Sequence, residues 1–347
     1  MDSALARRTT IAVSIDGADV SDDINKYLLQ MTYTDNEEDY ADDLQISLDD
    51  RERIWLDNWL DNPDGTKGAD ISAVIIQRNF NSDGNDSVLP CGAFEIDTVD
   101  GSGPPSGVSI RATSLPHTST LRTATHTKAW EKIKLSGIAG EIASNNGMTL
   151  MYESSYDPLY DRKEQVDLSD IAFLQGLCYN AGISLKASGG IIVLFDAAEY
   201  EQKPTVTEIR RGAGNVLGWR LGTKANDAKY GSSRVTYTDP QTGQTHNYTF
   251  TPPGASGAGQ VLRINERVRS RAEARDLAKR RLRQKNKSEY KAEFSLVGDT
   301  RLVAGVTVEL VGWGMFNGKY IIETAAHTVT GSGYTLTVTL RRVLEGY

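Results

Sequence analysis

The chain is poor in cysteine, since its 347 residues include only Cys91 and Cys178. The two lie far apart in the sequence, which is not the pattern of a disulfide framework. Scarce cysteine is typical of proteins that fold in a reducing cytosol. We expect both thiols to be free, with no redox or metal-binding role.

Long apolar runs are also missing. The longest clear one is IIVLF at Ile191–Phe195, far short of the roughly 20 residues that a membrane-spanning helix needs. The opening residues, MDSALARRTT, have no apolar core and do not resemble a signal peptide. The sequence therefore predicts a protein that has no membrane partner.

Net positive charge is absent, because the formal net charge is −8. A chain with this balance is not built to coat nucleic acid. The charge is unevenly placed, however. Residues 16–64, the acidic block, hold sixteen Asp and Glu, and residues 263–287, the basic block, hold eleven Lys and Arg. Two blocks of opposite sign predict complementary surfaces, either within one chain or between copies, although two solvated faces would have the same pattern.

No catalytic or metal-binding pattern is present. GxSxG, HExxH and P-loop motifs are all missing. No pair of carboxylates is singled out by its position. The four histidines show no metal-type spacing with one another or with the cysteines: His117, His126, His246 and His327. We expect a protein that is not an enzyme, with no catalytic residues, no cofactor and no metal, and with His327 as a structural histidine inside a strand.

Two short stretches superficially match ligand-binding loops. One matches the first half of a calcium loop at Asn79, Asn81, Asp83 and Gly84, but Pro90 stands where a bidentate Glu is needed. We interpret residues 79–87 as a plain hairpin loop. The other, GAGNVLG at residues 212–218, has the wrong glycine spacing for a dinucleotide-binding turn.

The chain contains the same hairpin pattern twice. GAFEIDT at Gly92–Thr98 and GKYIIET at Gly318–Thr324 both read Gly, any residue, aromatic, any residue, Ile, acid, Thr. Each is followed by GSG and an alternating stretch, VSIRA or YTLTVTL. Because alternate residues of a strand share one face, we expect the aromatic residue and the Ile of each copy to be buried in equivalent β domains. These residues are Phe94, Ile96, Tyr320 and Ile322.

The middle of the chain changes to a helical period and contains a second repeat. LSGIA…NNGMTL and LSDIA…NAGISL each predict an amphipathic helix, a glycine stop and a strand. Ser169 is the expected N-cap of the second helix and Gly182 its stop. We expect five helix residues to be buried against the neighbouring strands: Ile138, Ile142, Ile171, Phe173 and Leu174.

The last third returns to alternating strands and carries one basic helix, RSRAEARDLAKRRLRQKN. Its thin apolar stripe of Ala274, Leu277, Ala278 and Leu282 predicts packing of one side on a sheet. Since no aromatic residue interleaves the Lys and Arg, we do not expect specific nucleic-acid binding.

Long segments of the chain resemble the phage late-control protein D family, the baseplate hub proteins of contractile tails. They include DDLQISLDDRERIWLDNWL, GAFEIDTVDGSGPPSGVSIRATS and QVDLSDIAFLQGLCYNAGISL. The closing segment, SRAEARDLAKRRLRQKN and then GDTRLVAGVTVELVGWGMFNGKYIIETAAHTVTGSGYTLTVTLRRV, is also similar to that family. The stretch between Arg210 and Gln260 is the least diagnostic.

The resemblance implies a mainly β fold with an α+β insert. Two tail-tube-like β-barrel or sandwich domains would be separated by a smaller α/β domain. We place the boundaries at residues 1–114, 115–208 and 209–347, with the basic helix in the last domain. The repeated hairpin is what a duplicated tube-like domain would leave in the sequence.

The resemblance also implies a function. The chain would be a structural baseplate hub, a homotrimeric ring that adapts a six-fold tail tube to a three-fold central spike. Its partners would be the tube protein or tube initiator and the spike, with baseplate wedge and tape-measure proteins as further candidates. Its location would be the baseplate of a phage, or of a related injection or bacteriocin particle, assembled in the cytoplasm of the bacterial host.

Two other classes of function remain to be compared with this one. The paired LSxIA…NxG segments faintly resemble peptidoglycan-binding LysM repeats, which place two helices between two strands, whereas each segment here predicts one helix and then a strand. A peptidoglycan hydrolase would need a catalytic constellation that the sequence lacks.

Overall fold

The computed structural model describes residues 6–38, 41–59, 68–82, 84–115, 119–224, 230–238, 243–253, 259–268 and 270–347. Strands dominate these residues, and most of the helix lies in the middle of the chain. The predicted fold class, mainly β with an α+β insert, is confirmed.

The first third consists of strands that alternate buried and exposed residues. Leu44, Ile46 and Leu48 are buried on one face, as the pattern DDLQISLDD predicted. The elements are β1 (Arg8–Ile15), β2 (Ala18–Asp19), α1 (Ser21–Tyr27), β3 (Leu28–Asn36), β4 (Asp43–Asp49), a π-helical turn (Trp55–Trp59), β5 (Asp70–Ser82), β6 (Asn85–Ser102) and β7 (Gly107–Thr113).

The hairpin between β5 and β6 is tighter than predicted. Residues 79–87 were expected to form a loop, but β5 continues to Ser82 and β6 begins at Asn85. The side chain of Asn79 accepts a hydrogen bond from the backbone N–H of Gly84 at 2.7 Å. The β5–β6 ladder is irregular after Gln77 and closes again at the pair of Ser82 and Asn85, next to the turn.

The middle third is the α+β insert. Its elements are α2 (Thr120–Thr123), β8 (Thr125–Lys134), α3 (Leu135–Asn145), β9 (Thr149–Glu153), β10 (Leu159–Ser169), α4 (Asp170–Ala181), β11 (Ser184–Ser188), β12 (Ile191–Phe195) and α5 (Ala197–Glu201). Strands β8 and β10 form one small sheet, and β11, β12 and β9 form another.

The two predicted helices of the insert are confirmed with their stops. Helix α3 is followed by Gly147 and α4 by Gly182, both with positive φ, where glycine has no Cβ penalty. Ser169 occupies the N-cap position, but its side chain makes no capping hydrogen bond. Of the five helix residues predicted to be buried, Ile171 is only half-buried, because it lies on the first turn of α4 at the border of the core.

The last third consists of strands and the basic helix. The elements are β13 (Thr207–Arg210), β14 (Val216–Thr223), β15 (Tyr230–Thr238), β16 (Thr245–Phe250), β17 (Gln260–Ile264), α6 (Arg271–Asn286), β18 (Tyr290–Val297), β19 (Thr307–Val311), a 3₁₀ turn (Gly314–Phe316), β20 (Gly318–Thr330) and β21 (Gly333–Arg342). The predicted stripe of α6 packs Ala274, Ala278 and Leu282 inward. Strands β16, β15 and β17 form the small sheet beneath it.

One large sheet connects the first and last thirds. Its strand order is β14-β18-β21-β20-β3-β4-β7-β6-β5-β1-β2, with β19 beside β20 and β13 beside β19. Separate apolar cores lie under the two ends of this sheet, and a third core lies in the insert. Among the described residues, no helix is long and apolar enough to cross a bilayer.

Candidate assembly interface

The two repeated hairpins occupy equivalent positions in two cores. GAFEIDT lies in β6 and GKYIIET in β20. Phe94 and Ile96 are buried in the core of the first third, and Tyr320 and Ile322 in the core of the last third. The prediction that both hairpins direct their aromatic residue and Ile inward is confirmed.

The duplication extends to whole groups of strands. Strands β1, β5, β6, β7, β4 and β3 neighbour one another in that order, and β13, β19, β20, β21, β18 and β14 repeat it. We call these groups the first and second half-sheets. They differ at one end, where β1 runs antiparallel to β5 but β13 runs parallel to β19.

Irregularities in the ladders repeat as well. The register of β6 with β7 shifts between Ile96 and Thr98, and that of β20 with β21 shifts between Ile322 and Thr324. A second pair of shifts follows Leu28 in β3 and Val216 in β14. Because a bulge inserts one residue at a defined place, matching bulges give a residue-by-residue correspondence between the half-sheets.

The half-sheets join inside the chain at a seam between β20 and β3. Residues 324–330 pair antiparallel with residues 30–36. The ring of His327 stacks on Tyr33 with centroids 5.9 Å apart, and its Nδ1 lies 2.7 Å from the hydroxyl of Tyr334. His327 lies inside a strand, as predicted, and is fully buried in the sheet.

Burial lowers the pKa of His327 from 6.5 to about 4. The folded seam therefore holds a neutral ring at a pH where the unfolded chain binds a proton. Its contribution to stability is complete above pH 6.5 and is lost as the pH falls towards 4. The loss should reach up to about 3 kcal/mol.

We expect His327→Gln to remove this part of the pH dependence. Chemical denaturation of both proteins between pH 7.5 and 4 would measure it. The free energy of unfolding should fall more steeply for the wild type than for the variant. Parallel curves would contradict a neutral buried histidine, because other titrating groups are common to both proteins.

Each half-sheet leaves an edge without a strand partner among the described residues. Strand β14 pairs only with β18. The second part of β6, residues 98–102, pairs only with β7, because the ladder with β5 ends at Glu95. Unpaired strand edges are templates for pairing with another chain. The sequence did not identify either edge, since strand position in a sheet is not visible in alternation.

A buried charge cluster connects the three thirds of the chain. Arg341 on β21 has no exposed side-chain surface and lies 2.9 Å from Glu37, which follows β3. It also pairs with Glu201 at the end of α5, and its Nε lies 3.6 Å from Glu323 on β20. Burial raises the pKa of Glu37, and the positive charge of Arg341 opposes that shift.

The basic helix contributes to the same region. Arg280 and Arg283 of this helix form ion pairs with Asp196 and Glu201 of the insert, and Lys287, the residue after the helix, pairs with Glu38. The pair of Lys287 and Glu38 joins the basic block to the acidic block. Complementarity between the blocks is thus realised within one chain at this pair, because packing of the Ala/Leu stripe turns the cations beside it towards the protein.

A second charged contact ties the insert to the first half-sheet. Lys186 on β11 lies 2.8 Å from Asp35 and 3.1 Å from Asp42. The other carboxylate oxygen of Asp35 accepts the backbone N–H of Ala304 at 2.9 Å. One aspartate therefore contacts the insert and the last third together.

The residues considered in the sequence as ligand-binding positions do not form a common site among the described residues. In the part of the chain that the structure describes, no group of three or more His, Cys, Asp or Glu residues could hold a metal. Neither Cys91 nor Cys178 forms a disulfide; both are buried, and burial raises the pKa of Cys91 to about 12. His117 and Asp83 lie outside the described residues. Residues 212–218 lead from a turn into β14 and do not open a helix.

The LysM-like segments have one helix each. Helix α3 leads to β9 and α4 leads to β11. LysM modules have two helices between their strands, and this stretch, which the structure describes completely, does not. The geometry therefore gives no support to a cell-wall-binding module.

Comparison with protein families gives a match over most of the chain. The family model described as phage tail baseplate hub (GPD) matches residues 100–333. The probable baseplate hub protein of Escherichia phage P2 is 28% identical over 190 residues, which are 53% of this chain and 44% of that protein. The corresponding protein of phage 186 is 22% identical over 198 residues, 57% of this chain and 47% of that protein. The chain thus spans less than half the length of these two relatives.

Solved structures share the fold. The 43 kDa tail protein of prophage MuSo2 from Shewanella oneidensis superposes with a TM-score of 0.70 at 14% identity, covering 97% of this chain and 99% of that one. A tail protein from Neisseria meningitidis gives 0.68 at 12% identity, with 96% of each chain covered. An Escherichia coli type VI secretion component, described as similar to the phage T4 tail proteins gp27 and gp5, gives 0.58 at 14% identity, covering 92% of this chain and 75% of that one.

Proposed function

This chain belongs to the phage tail baseplate hub (GPD) family, and from that premise we propose that three copies form a ring between a six-fold tail tube and a three-fold central spike. The observation that carries the proposal is the duplication of the half-sheet. Three chains with two equivalent half-sheets would present six similar units, and in the proposed ring the three inserts would form the three-fold face.

The proposal includes a division into three domains at residues 1–114, 115–208 and 209–347. Separate apolar cores support it: one mainly in the first segment, one in the insert and two in the last segment, under β20 and β21 and under α6. The ion pairs around Arg341 and Lys186 would keep the insert at a fixed angle to both half-sheets. A rigid chain suits an adapter, because its two faces must keep their relative orientation.

The proposed partners follow from the two faces. A tube protein or tube initiator would meet the six half-sheets, and a spike protein would meet the three-fold face. Baseplate wedge and tape-measure proteins are further candidates. The proposed location is the baseplate of a phage or a tail-like particle, assembled in the bacterial host cytoplasm. The fold shared with a type VI secretion component, described as similar to the phage T4 tail proteins gp27 and gp5, supports tail components as partners.

The mass of the purified chain in solution tests the proposal. Analytical ultracentrifugation, alone and with its spike and tube partners, should give a trimer, and images of the particle should show a ring with six similar units. A chain that stays monomeric under all these conditions would contradict the ring. Binding to purified peptidoglycan, or clearing of a cell-wall suspension, would instead favour a cell-wall function.

A further inference from the structure

The seam inside the chain is a template for a junction between copies. At the seam, β20 of the second half-sheet pairs with β3 of the first. The counterpart of β20 is β6, and the counterpart of β3 is β14. Both counterparts have an edge that no described residue pairs with. We propose that residues 98–102 of one copy pair antiparallel with residues 220–224 of a second copy. This junction rests on the proposed ring and specifies how it closes.

The matching bulges predict the register. Thr324 follows the bulge of β20 as Thr98 follows that of β6. On the other strand, Gln30 follows the bulge of β3 as Gly218 follows that of β14. The seam pairs Thr324 with Asn36 and Thr328 with Thr32. Transferred to the open edges, these pairs become Thr98 with Lys224 and Ser102 with Arg220.

This register places apolar side chains on the same face. It sets Val99 opposite Thr223 and Gly101 opposite Leu221. Val99 packs on the core of the first half-sheet and Leu221 on that of the second. A shift by one residue would turn the core face of one strand to the opposite side of the sheet. The partial burial of Val99 and Leu221 on the same side therefore supports this register.

Burial at equivalent positions also indicates a missing neighbour. Met31 of β3 is 0% exposed, and its counterpart Trp219 of β14 is 54% exposed. Trp219 faces the core side, opposite Phe294, and contacts Trp313 edge-on at 5.2 Å. In the proposed register the β6–β7 turn of the second copy lies over Trp219, as Val329 lies beside Met31 at the seam.

The difference in exposure between Met31 and Trp219 is not found at every equivalent position of β3 and β14. Leu29 and Leu217, the bulge residues of β3 and β14, are similarly exposed at 53% and 58%. A partner strand therefore leaves the bulge residue in solvent and covers the residue two positions later. At β14 the bulge residue Leu217 is exposed as its counterpart is at β3, but Trp219, two positions later, is not covered.

Charge on the opposite face of the two strands is complementary. Asp100 would lie opposite Gly222, with Arg220 and Lys224 as its diagonal neighbours on that face. Diagonal side chains across a strand pair are within reach of long residues. A glycine directly opposite leaves room for both cations to approach the carboxylate. Such pairs would favour this orientation and speed association more than they would add affinity.

Engineered disulfides test the junction in the full-length chain. Val99→Cys combined with Thr223→Cys should cross-link copies on mild oxidation, because directly opposed residues have the spacing that a disulfide needs. Within one chain these positions are separated by six intervening strands, so a bond cannot form inside a copy. Asp100→Cys with Thr223→Cys is the matched control, since its side chains would lie on opposite faces.

The expected result is a covalent trimer on a non-reducing gel for the first pair and monomer for the control. A mixture of the two single variants should stop at dimer. A trimer in solution whose 99–223 pair does not cross-link, or whose control pair does, overturns the junction and leaves the ring intact. A chain that is monomeric alone and with its spike partner overturns the ring itself, and the junction with it.

Discussion

Replacing Arg341 by methionine is expected to lower the free energy of unfolding by about 3–5 kcal/mol. The guanidinium group is fully buried and pairs with Glu37 and Glu201, which are themselves 2% exposed. Methionine fills much of the volume but leaves buried carboxylates without this cation. The cost arises because the carboxylates remain buried without a compensating charge. Replacing the whole cluster by apolar residues would be less destabilising than removing one partner.

The effect should depend on pH in a defined direction. Burial already raises the pKa of Glu37, and loss of Arg341 would raise it further. Protonation removes the buried negative charge of such a carboxyl group. The loss of stability in the variant, relative to the wild type, should therefore shrink as the pH falls. Urea denaturation at pH 8 and pH 5 would measure it, and adding Glu37→Gln to the variant should recover part of the loss.

Arg210→Met is the matched control for this experiment. Arg210 also pairs with a glutamate, Glu208, but their side chains are 60% and 50% exposed. An exposed pair contributes about 0–1 kcal/mol, so this variant should unfold almost as the wild type does. Equal losses for the two variants would mean that burial does not set the strength of the Arg341 cluster.

Truncation of Phe173 to alanine is expected to cost about 3–5 kcal/mol. The side chain is 6% exposed in the core of the insert, and its ring stacks on Trp130 with centroids 5.2 Å apart. Alanine would leave a cavity between α4 and β8 that the surrounding strands can fill only in part. The free energy of unfolding, measured by urea denaturation, is the readout.

Ile171→Ala on the same helix is the control, because Ile171 is only half-buried. Its loss should be clearly smaller than that of Phe173→Ala. A cost below about 1 kcal/mol for Phe173→Ala would place that side chain at the surface and contradict the packing of α4.

Local structure in this protein could be predicted from residue periodicity alone. The stripe of Leu135, Ile138 and Ile142 defined α3, and Gly182 marked the end of α4. The repeat of GAFEIDT and GKYIIET identified two equivalent strands before their neighbours were known. These predictions succeeded because a strand or helix that buries one face must repeat apolar residues at its own period.

Predictions that depended on the exact border of a core were less accurate. Ile171 continues the apolar pattern of α4 but lies where that core ends. Residues 79–87 have a loop composition, yet the strands continue almost to the turn. The charges of α6 were visible, but their pairing with Asp196 and Glu201 depends on where the insert packs.

The sequence by itself determined the fold class, the helices of the insert and the duplication of a β hairpin, because each is written in spacings of a few residues. Only the tertiary structure decided that β20 pairs with β3, that Arg341 is buried among carboxylates, and that β14 and part of β6 lack a partner among the described residues. The reason is physical: these features are contacts between segments hundreds of residues apart, and a strand carries the same alternation whether its edge is paired or open.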